Sequence, residues 1–148
     1  MTLRNPTIKA LGEIALRVND LEKMEKFYHE VVGLDIMKRF ENVVFFCIAE
    51  SYGGHTQTLA LFDRSKELRG PRIHNETPTG VSCDRSTLDH LAFAIDLSDY
   101  ESERARLESL GLDVETVEFG WTSWRSLYVA DPEGNTVEFV CFDSSIKK

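Results

Sequence analysis

Cysteine is scarce in this chain. Its 148 residues hold three, Cys47, Cys83 and Cys141, an odd number with no Cys-x-x-Cys spacing. That argues against a disulfide-stapled secreted scaffold and against a cysteine-based zinc cluster. Cys47 and Cys141 lie inside apolar runs, where a buried free thiol is the expected state. Long apolar stretches are missing as well: none reaches transmembrane length, and the first residues lack the basic-then-apolar pattern of a secretory signal. The expected setting is a reducing cytoplasm. Basic residues are outnumbered, 17 Lys and Arg against 25 Asp and Glu, for a net charge of −8. Such a balance suits neither a nucleic-acid surface nor an anionic membrane. Only four prolines occur, and two of them, Pro71 and Pro78, fall in one stretch without periodicity, Asp63 to Ser86.

What is present is the patterning of a soluble globular protein, 42% apolar and 28% charged, long enough to bury a core in one domain. The most ordered stretch is the last hairpin. Two β-rich runs flank Asp131-Pro-Glu-Gly134, where proline presets φ, Asp131 accepts from following amides and Gly134 takes the left-handed conformation. In the returning strand Val137, Phe139 and Cys141 share one face, and Thr136, Glu138 and Val140 the other. Glu138 is a lone carboxylate in an apolar strand, either solvated or functional.

The rest of the chain repeats a pattern. Leu11 to Val18 alternates as a strand, with Glu13, Ala15 and Arg17 on one face. Asn19-Asp20 reads as a helix start, with Glu22 three residues after Asn19 in capping-box position. Leu21, Met24, Phe27, Tyr28, Val31 and Val32 then recur at a period near 3.6 until Gly33. Leu34 to Arg39, Val43 to Ala49 and Thr56 to Phe62 are three further strands. After the 63–86 segment, Leu88 to Ile95 is a strand again, Ser98 with Glu101 caps a helix bearing Tyr100, Leu107 and Leu110, and Gly111 ends it. Leu112 to Phe119, Trp124 to Ala130 and Asn135 to Phe142 follow as strands. Leu11-Gly-Glu-Ile-Ala lies over Leu88-Asp-His-Leu-Ala, Val32-Gly-Leu-Asp over Leu110-Gly-Leu-Asp, and Thr58-Leu-Ala-Leu over Thr136-Val-Glu-Phe. The expected fold is therefore α+β, with two βαβββ modules in tandem (about 8–62 and 87–143, linker 63–86) forming a single domain with a curved mixed sheet. In this register Glu13 is equivalent to His90, and Ala60 to Glu138. A pseudo-twofold between the copies predicts that these four positions meet.

Ile14-Ala-Leu-Arg-Val-Asn-Asp-Leu21 with Phe27-Tyr28 and Val32-Gly-Leu34, then Asp89-His-Leu-Ala-Phe93, then Ser126 to Glu138, resemble the vicinal-oxygen-chelate superfamily. That family contains glyoxalases, extradiol ring-cleaving dioxygenases, epimerases and drug-resistance proteins. The resemblance implies a cup for a divalent metal, with ligands at Glu13, His90 and Glu138. The fourth position, which glyoxalases fill, holds Ala60. That vacancy, Gln57-Thr-Leu-Ala60, and Tyr128 ten residues before Glu138 are most similar to the extradiol dioxygenases. Tyr128 and Gln57 are accordingly the expected catalytic residues. Departures are plain: Glu13 stands for the usual His, Gln57 for a second-sphere His, and Phe119 where another His is frequent. Gln57 can hydrogen-bond a bound oxygen but cannot shuttle a proton.

Two carboxylates and one neutral imidazole would balance a divalent ion. That oxygen-rich set suits Fe²⁺, Mn²⁺, Ni²⁺, Zn²⁺ or Mg²⁺ without ranking them, the dioxygenase resemblance favours Fe²⁺, and three protein ligands leave room for two neighbouring substrate oxygens. The function implied is a metal-dependent enzyme acting on a small molecule with vicinal oxygens, most like a dioxygenase. The alternatives are a glyoxalase-type lyase, isomerase or epimerase, and a metal-free drug-sequestering protein using Phe119, Trp121, Trp124 and Tyr128 as stacking walls. A small-molecule partner and a homodimer are expected, with no nucleic acid and no membrane. Of the remaining histidines, His29 and His74 read as solvated, while His55, two residues from Gln57, is close enough in sequence to the cup to be watched.

Overall fold

The computed structural model describes residues 9–66, 88 and 90–146. The chain divides into two compact units, Met1–Pro71 and Arg72–Lys148. The first is built from β1 (Glu13–Val18), α1 (Leu21–Lys26, continued by a wider π turn Phe27–Val31), β2 (Asp35–Arg39), β3 (Val43–Glu50) and β4 (Thr56–Asp63). The second repeats the series as β5 (His90–Ala94), α2 (Tyr100–Ser109), β6 (Glu115–Phe119), β7 (Trp124–Ala130) and β8 (Thr136–Phe142). The fold class expected, α+β with tandem βαβββ modules, is the one found.

Each unit has its own four-stranded mixed sheet, ordered β1-β4-β3-β2 and β5-β8-β7-β6. In both, the first strand runs parallel to the fourth and the remaining pairs are antiparallel. The registers match as well. Glu13 pairs with Thr58 and Ala15 with Ala60; His90 pairs with Thr136 and Ala92 with Glu138. The internal repeat read from the sequence is thus a repeat of strand pairing.

In each unit the helix lies on the sheet face that carries most of the buried apolar side chains. In the first unit Val18, Met24, Phe27, Tyr28, Val44, Phe46, Leu59 and Leu61 are buried, and the Tyr28 ring lies 6.3 Å from Phe46. In the second, Leu91, Tyr100, Leu107, Leu127, Val129, Val137, Phe139 and Cys141 are buried. Each such side chain contributes about 1.5–3 kcal/mol through removal from water.

Local details depart from the sequence expectations at both helix starts. The cap of α1 is Asp20, not Asn19. Asp20 keeps extended backbone angles, φ −123° and ψ 90°, and its carboxylate accepts from the Lys23 amide at 3.0 Å. Helical geometry begins one residue later than the capping-box reading placed it. Ser98 does not cap α2. It lies inside a 3₁₀ turn, Leu97–Asp99, whose carbonyl at Leu97 takes the Tyr100 amide, so backbone does the work expected of the side chain. The α2 end is as expected. Gly111 sits at φ +80°, with Leu112 N bonded to Leu107 O and Gly111 N to Glu108 O, the paired bonds of a Schellman motif. Beyond β4, the Ser65 amide and hydroxyl both donate to Asp63 Oδ1. Most of the 63–86 segment, with His74, Cys83 and both of its prolines, lies outside the described residues. Among the described residues no helix is long and apolar enough to cross a membrane.

Candidate metal centre

The second unit's site is set by the turn that precedes β8. Asp131 Oδ1 accepts from the Glu133 and Asn135 amides, both at 2.9 Å, and Oδ2 from the Asn135 side chain at 2.7 Å. Gly134, at φ +83°, closes the turn onto Asp131 O at 3.0 Å. This locks the β7–β8 register, so that Tyr128 stands opposite Glu138 and Ser126 opposite Val140. A slip of one residue would send Glu138 to the helix-covered face.

Glu138 is only 5% exposed. Burying a carboxylate is costly unless it is hydrogen-bonded, and here donors surround it. Ser126 Oγ donates to Glu138 Oε1 at 2.6 Å and Tyr128 Oη donates to the same oxygen at 3.0 Å. The other oxygen, Oε2, faces His90 Nε2 at 3.1 Å. The His90 and Tyr128 rings meet edge to face, centroids 6.4 Å apart. Beneath the sheet, the Tyr100 hydroxyl of α2 donates to the Ser126 carbonyl at 3.2 Å, and burial raises that phenol above its ordinary value.

The spacing of the pair serves either a hydrogen bond or two ligands of one ion. Two atoms bound to one ion at about 2.1 Å each stand about 3.0–3.4 Å apart at octahedral or tetrahedral angles. The 3.1 Å between His90 Nε2 and Glu138 Oε2 falls in that range. The donors on Oε1 leave Oε2 turned to His90 and fix its direction. Among the described residues no three His, Cys, Asp or Glu side chains gather closely enough to hold an ion. His90 and Glu138 belong to the second unit and Glu13 to the first.

In the first unit Glu13 lies exposed on the edge strand β1, and Thr58 Oγ1 donates to its Oε2 at 2.9 Å. Ala60 is fully buried on the same face, paired with Ala15 and with Phe45. Phe45 therefore occupies the place that Tyr128 holds in the second unit. An aromatic row runs from it, with Phe62 at 6.0 Å and Phe40 at 6.2 Å. Gln57 pairs with Ala49 and stands one residue before Thr58. Strand alternation directs it to the Leu59 and Leu61 face, opposite to Glu13. His55 is placed similarly. Its imidazole lies 3.5 Å from where a Cβ on Gly12 would stand, and that direction is opposite to the Glu13 side chain.

Ser126 entered the sequence reading only as the start of the last hairpin, with no site role, although it makes the shortest bond to Glu138. Its signal was there: it precedes Tyr128 by two residues, on the same strand face. Cys141 is buried and donates toward Arg125 O at 3.6 Å, and burial raises its thiol above the usual value. A groove of about 740 Å³ in the first unit is lined in part by Glu22, Glu25, Glu30, Arg39 and Glu41, none of them an expected site residue.

A βαβββ unit occurring twice, with a histidine on the first strand and a carboxylate on the last strand of the second copy, defines a tandem-module α+β protein with a candidate metal centre. Residues 10–139 match the Glyoxalase/Bleomycin resistance protein/Dioxygenase superfamily, and the chain belongs to it. Among curated proteins it is similar to glutathione transferase FosA of Serratia marcescens, 23% identical over 135 residues that cover 88% of this chain and 79% of that protein. Among solved structures it is similar to a lactoylglutathione lyase from Agrobacterium tumefaciens, at 27% identity and a TM-score of 0.67, covering 89% of this chain and 92% of that one. It is also similar to an integron cassette protein from the mobile metagenome of the Halifax Harbour sewage outfall, at 26% identity and a TM-score of 0.66, covering 91% of this chain and all of that one. The transferase and the lyase are enzymes by name.

Proposed function

We propose that this protein is an enzyme that holds one divalent ion with Glu13, His90 and Glu138 and acts on a small molecule presenting two neighbouring oxygens to it. The observation that carries the reading is the buried Glu138 carboxylate, with one oxygen committed to Ser126 and Tyr128 and the other turned to His90 at 3.1 Å. When bound, the ion supplies Lewis-acid polarisation and a template for a bidentate substrate. Glu138 acts as a fixed ligand. Tyr128 orients Glu138 and is a positioning residue, not a catalytic one. Glu13, exposed and held by a single described donor, is the carboxylate free enough to accept a proton. Gln57, on the opposite face of β4, takes no part.

The chemistry that suits this set is redox-neutral: addition to, or proton transfer on, a chelated electrophile, as in a transferase or lyase. Two carboxylates neutralise the ion, and a neutral centre draws a catecholate dianion less strongly than a centre of net positive charge. The relatives named as a glutathione transferase and a lactoylglutathione lyase support the same direction. A second reading, extradiol-type ring cleavage, rests on Ala60 at the remaining ligand position and on Tyr128 beside Glu138.

The test begins with metal content of protein purified without chelator or nickel, beside a His90→Ala variant. Near-stoichiometric metal that the variant loses is the expected result. No metal after reconstitution with Fe²⁺, Mn²⁺, Ni²⁺, Zn²⁺ and Mg²⁺ refutes the proposal. Metal-loaded protein is then offered glutathione with 2-oxoaldehydes or epoxides, and separately catechols in an oxygen electrode. Thiol consumption supports the first reading; oxygen uptake on catechols by the Fe²⁺ form supports the second.

A further inference from the structure

On β6, β7 and β8, the face that carries Glu138 is laid out in three successive rows. The first is Glu115, Tyr128 and Glu138; the second Val117, Ser126 and Val140; the third Phe119, Trp124 and Phe142. The rows pass from polar to wholly apolar. On β8 exposure rises in the same direction, from buried Glu138 through half-buried Val140 to exposed Phe142. Ser126 and Glu138 are buried, whereas Val117, Trp124 and Phe142 are 37%, 44% and 64% exposed. Trp121, 74% exposed, extends the third row from the β6–β7 turn, its ring 6.1 Å from Trp124. On the reverse face of the same strands the large apolar residues Leu127, Val129, Val137 and Phe139 are all buried. The uncovered apolar surface is therefore confined to the side that bears the metal-binding pair, and is continuous with it.

We infer that this surface is a substrate subsite, and that the natural substrate is an elongated amphiphile: an oxygen-chelating head at His90 and Glu138 joined to an uncharged aliphatic or aromatic tail lying along Val117, Val140, Trp124 and Phe142. The inference rests on the metal reading above and names its substrate class. Two features select the tail. The four-residue step from Glu138 to Phe142 spans about 13 Å along the strand, which sets its length. No charged side chain occurs in the second or third row, so a tail bearing an ion would be desolvated there without a partner.

The experiment compares acetohydroxamate with octanohydroxamate, two bidentate oxygen chelators that differ in six methylenes, on the metal-loaded full chain by calorimetry. At half burial those methylenes give roughly 60-fold tighter binding, from about 0.8 kcal/mol per fully buried CH₂. Trp121 and Trp124 are the only tryptophans, so their emission should shift to the blue with the long probe alone. Trp124→Ala and Phe142→Ala, each checked for folding by circular dichroism, should bring the two Kd values toward one another, and Trp124→Phe should restore part of the gap. Equal Kd values in the parent protein overturn the subsite while leaving the metal reading intact. Binding of neither probe, or binding unchanged by His90→Ala, overturns the metal reading and the substrate class with it. A blue shift that follows protein concentration and dimerisation in sedimentation, without probe, overturns the inference in favour of a second copy on this face.

Discussion

Ser126→Ala isolates the interaction on which the site depends. Ser126 is fully buried, its hydroxyl lies 2.6 Å from Glu138 Oε1, and alanine removes one oxygen without opening a sizeable cavity. A hydrogen bond to a charged acceptor is worth about 1.5–3 kcal/mol, and a buried acceptor left short of donors adds to the loss. With a urea m-value of about 1–3 kcal/mol/M, the unfolding midpoint should fall by roughly 1 M at unchanged m. Tyr128→Phe, which removes a longer bond of 3.0 Å from a half-buried residue, should cost less, about 1 kcal/mol. The two hydroxyls serve one oxygen, so either alone covers part of the other's loss. The double variant should therefore exceed the sum of the singles by about 0.5–3 kcal/mol. Metal affinity should fall about 10–100-fold in Ser126→Ala, since the ligand's orientation loosens. Urea unfolding of the metal-free variants tests the stability part without reference to any ion. A midpoint that stays within about 0.2 M in Ser126→Ala, or a double variant equal to the sum of the singles, refutes the argument that these donors hold Glu138 in place.

Other outcomes follow from single contacts. Asp20→Ala should destabilise the first unit by about 1 kcal/mol, the usual worth of an N-cap, with Asp20→Asn recovering most of it in the same urea assay. The hydroxyl and amide of Ser145 hold the Asp143 carboxyl below its usual value of 3.8, with Arg125 adding a smaller contribution. A lowered folded-state pKa means that the unfolded chain binds the proton first. The Asp143 contribution to stability is thus complete above 3.8 and is lost as pH falls from there through the lower folded value. Asp143→Asn should flatten that acid limb, and a limb equally steep in the variant would count against the assignment.

Much of the fold was legible in the chain because it is local. Alternation in Glu13 to Val18 and Thr136 to Phe142, and the helical period ending at Gly33 and Gly111, report which side of each segment is apolar, and that is decided by neighbours a few residues away. The internal repeat carried further: two copies of one pattern imply two copies of one pairing, and Glu13–Thr58 and His90–Thr136 are paired alike. The turn at Asp131–Gly134 was readable for the same reason, whereas the register that sets Tyr128 opposite Glu138 is seen in the strand pairing. What tertiary structure alone decided was what reaches what. Ser126 lies 12 residues from Glu138 along the chain, and its hydroxyl becomes a partner only once β7 and β8 pair. Asp20 rather than Asn19 caps α1, and backbone rather than Ser98 starts α2, because a cap sits wherever the backbone turns helical, and the packing of the preceding strand or turn sets that point. Gln57 shows what motif reading does not supply: its neighbours in sequence resemble a catalytic stretch, whereas its side-chain direction is set by alternation along β4. Composition and period record how each residue meets water, whereas a site requires that particular atoms from distant strands converge, and only the pairing of those strands brings His90, Tyr128, Ser126 and Glu138 within hydrogen-bonding reach.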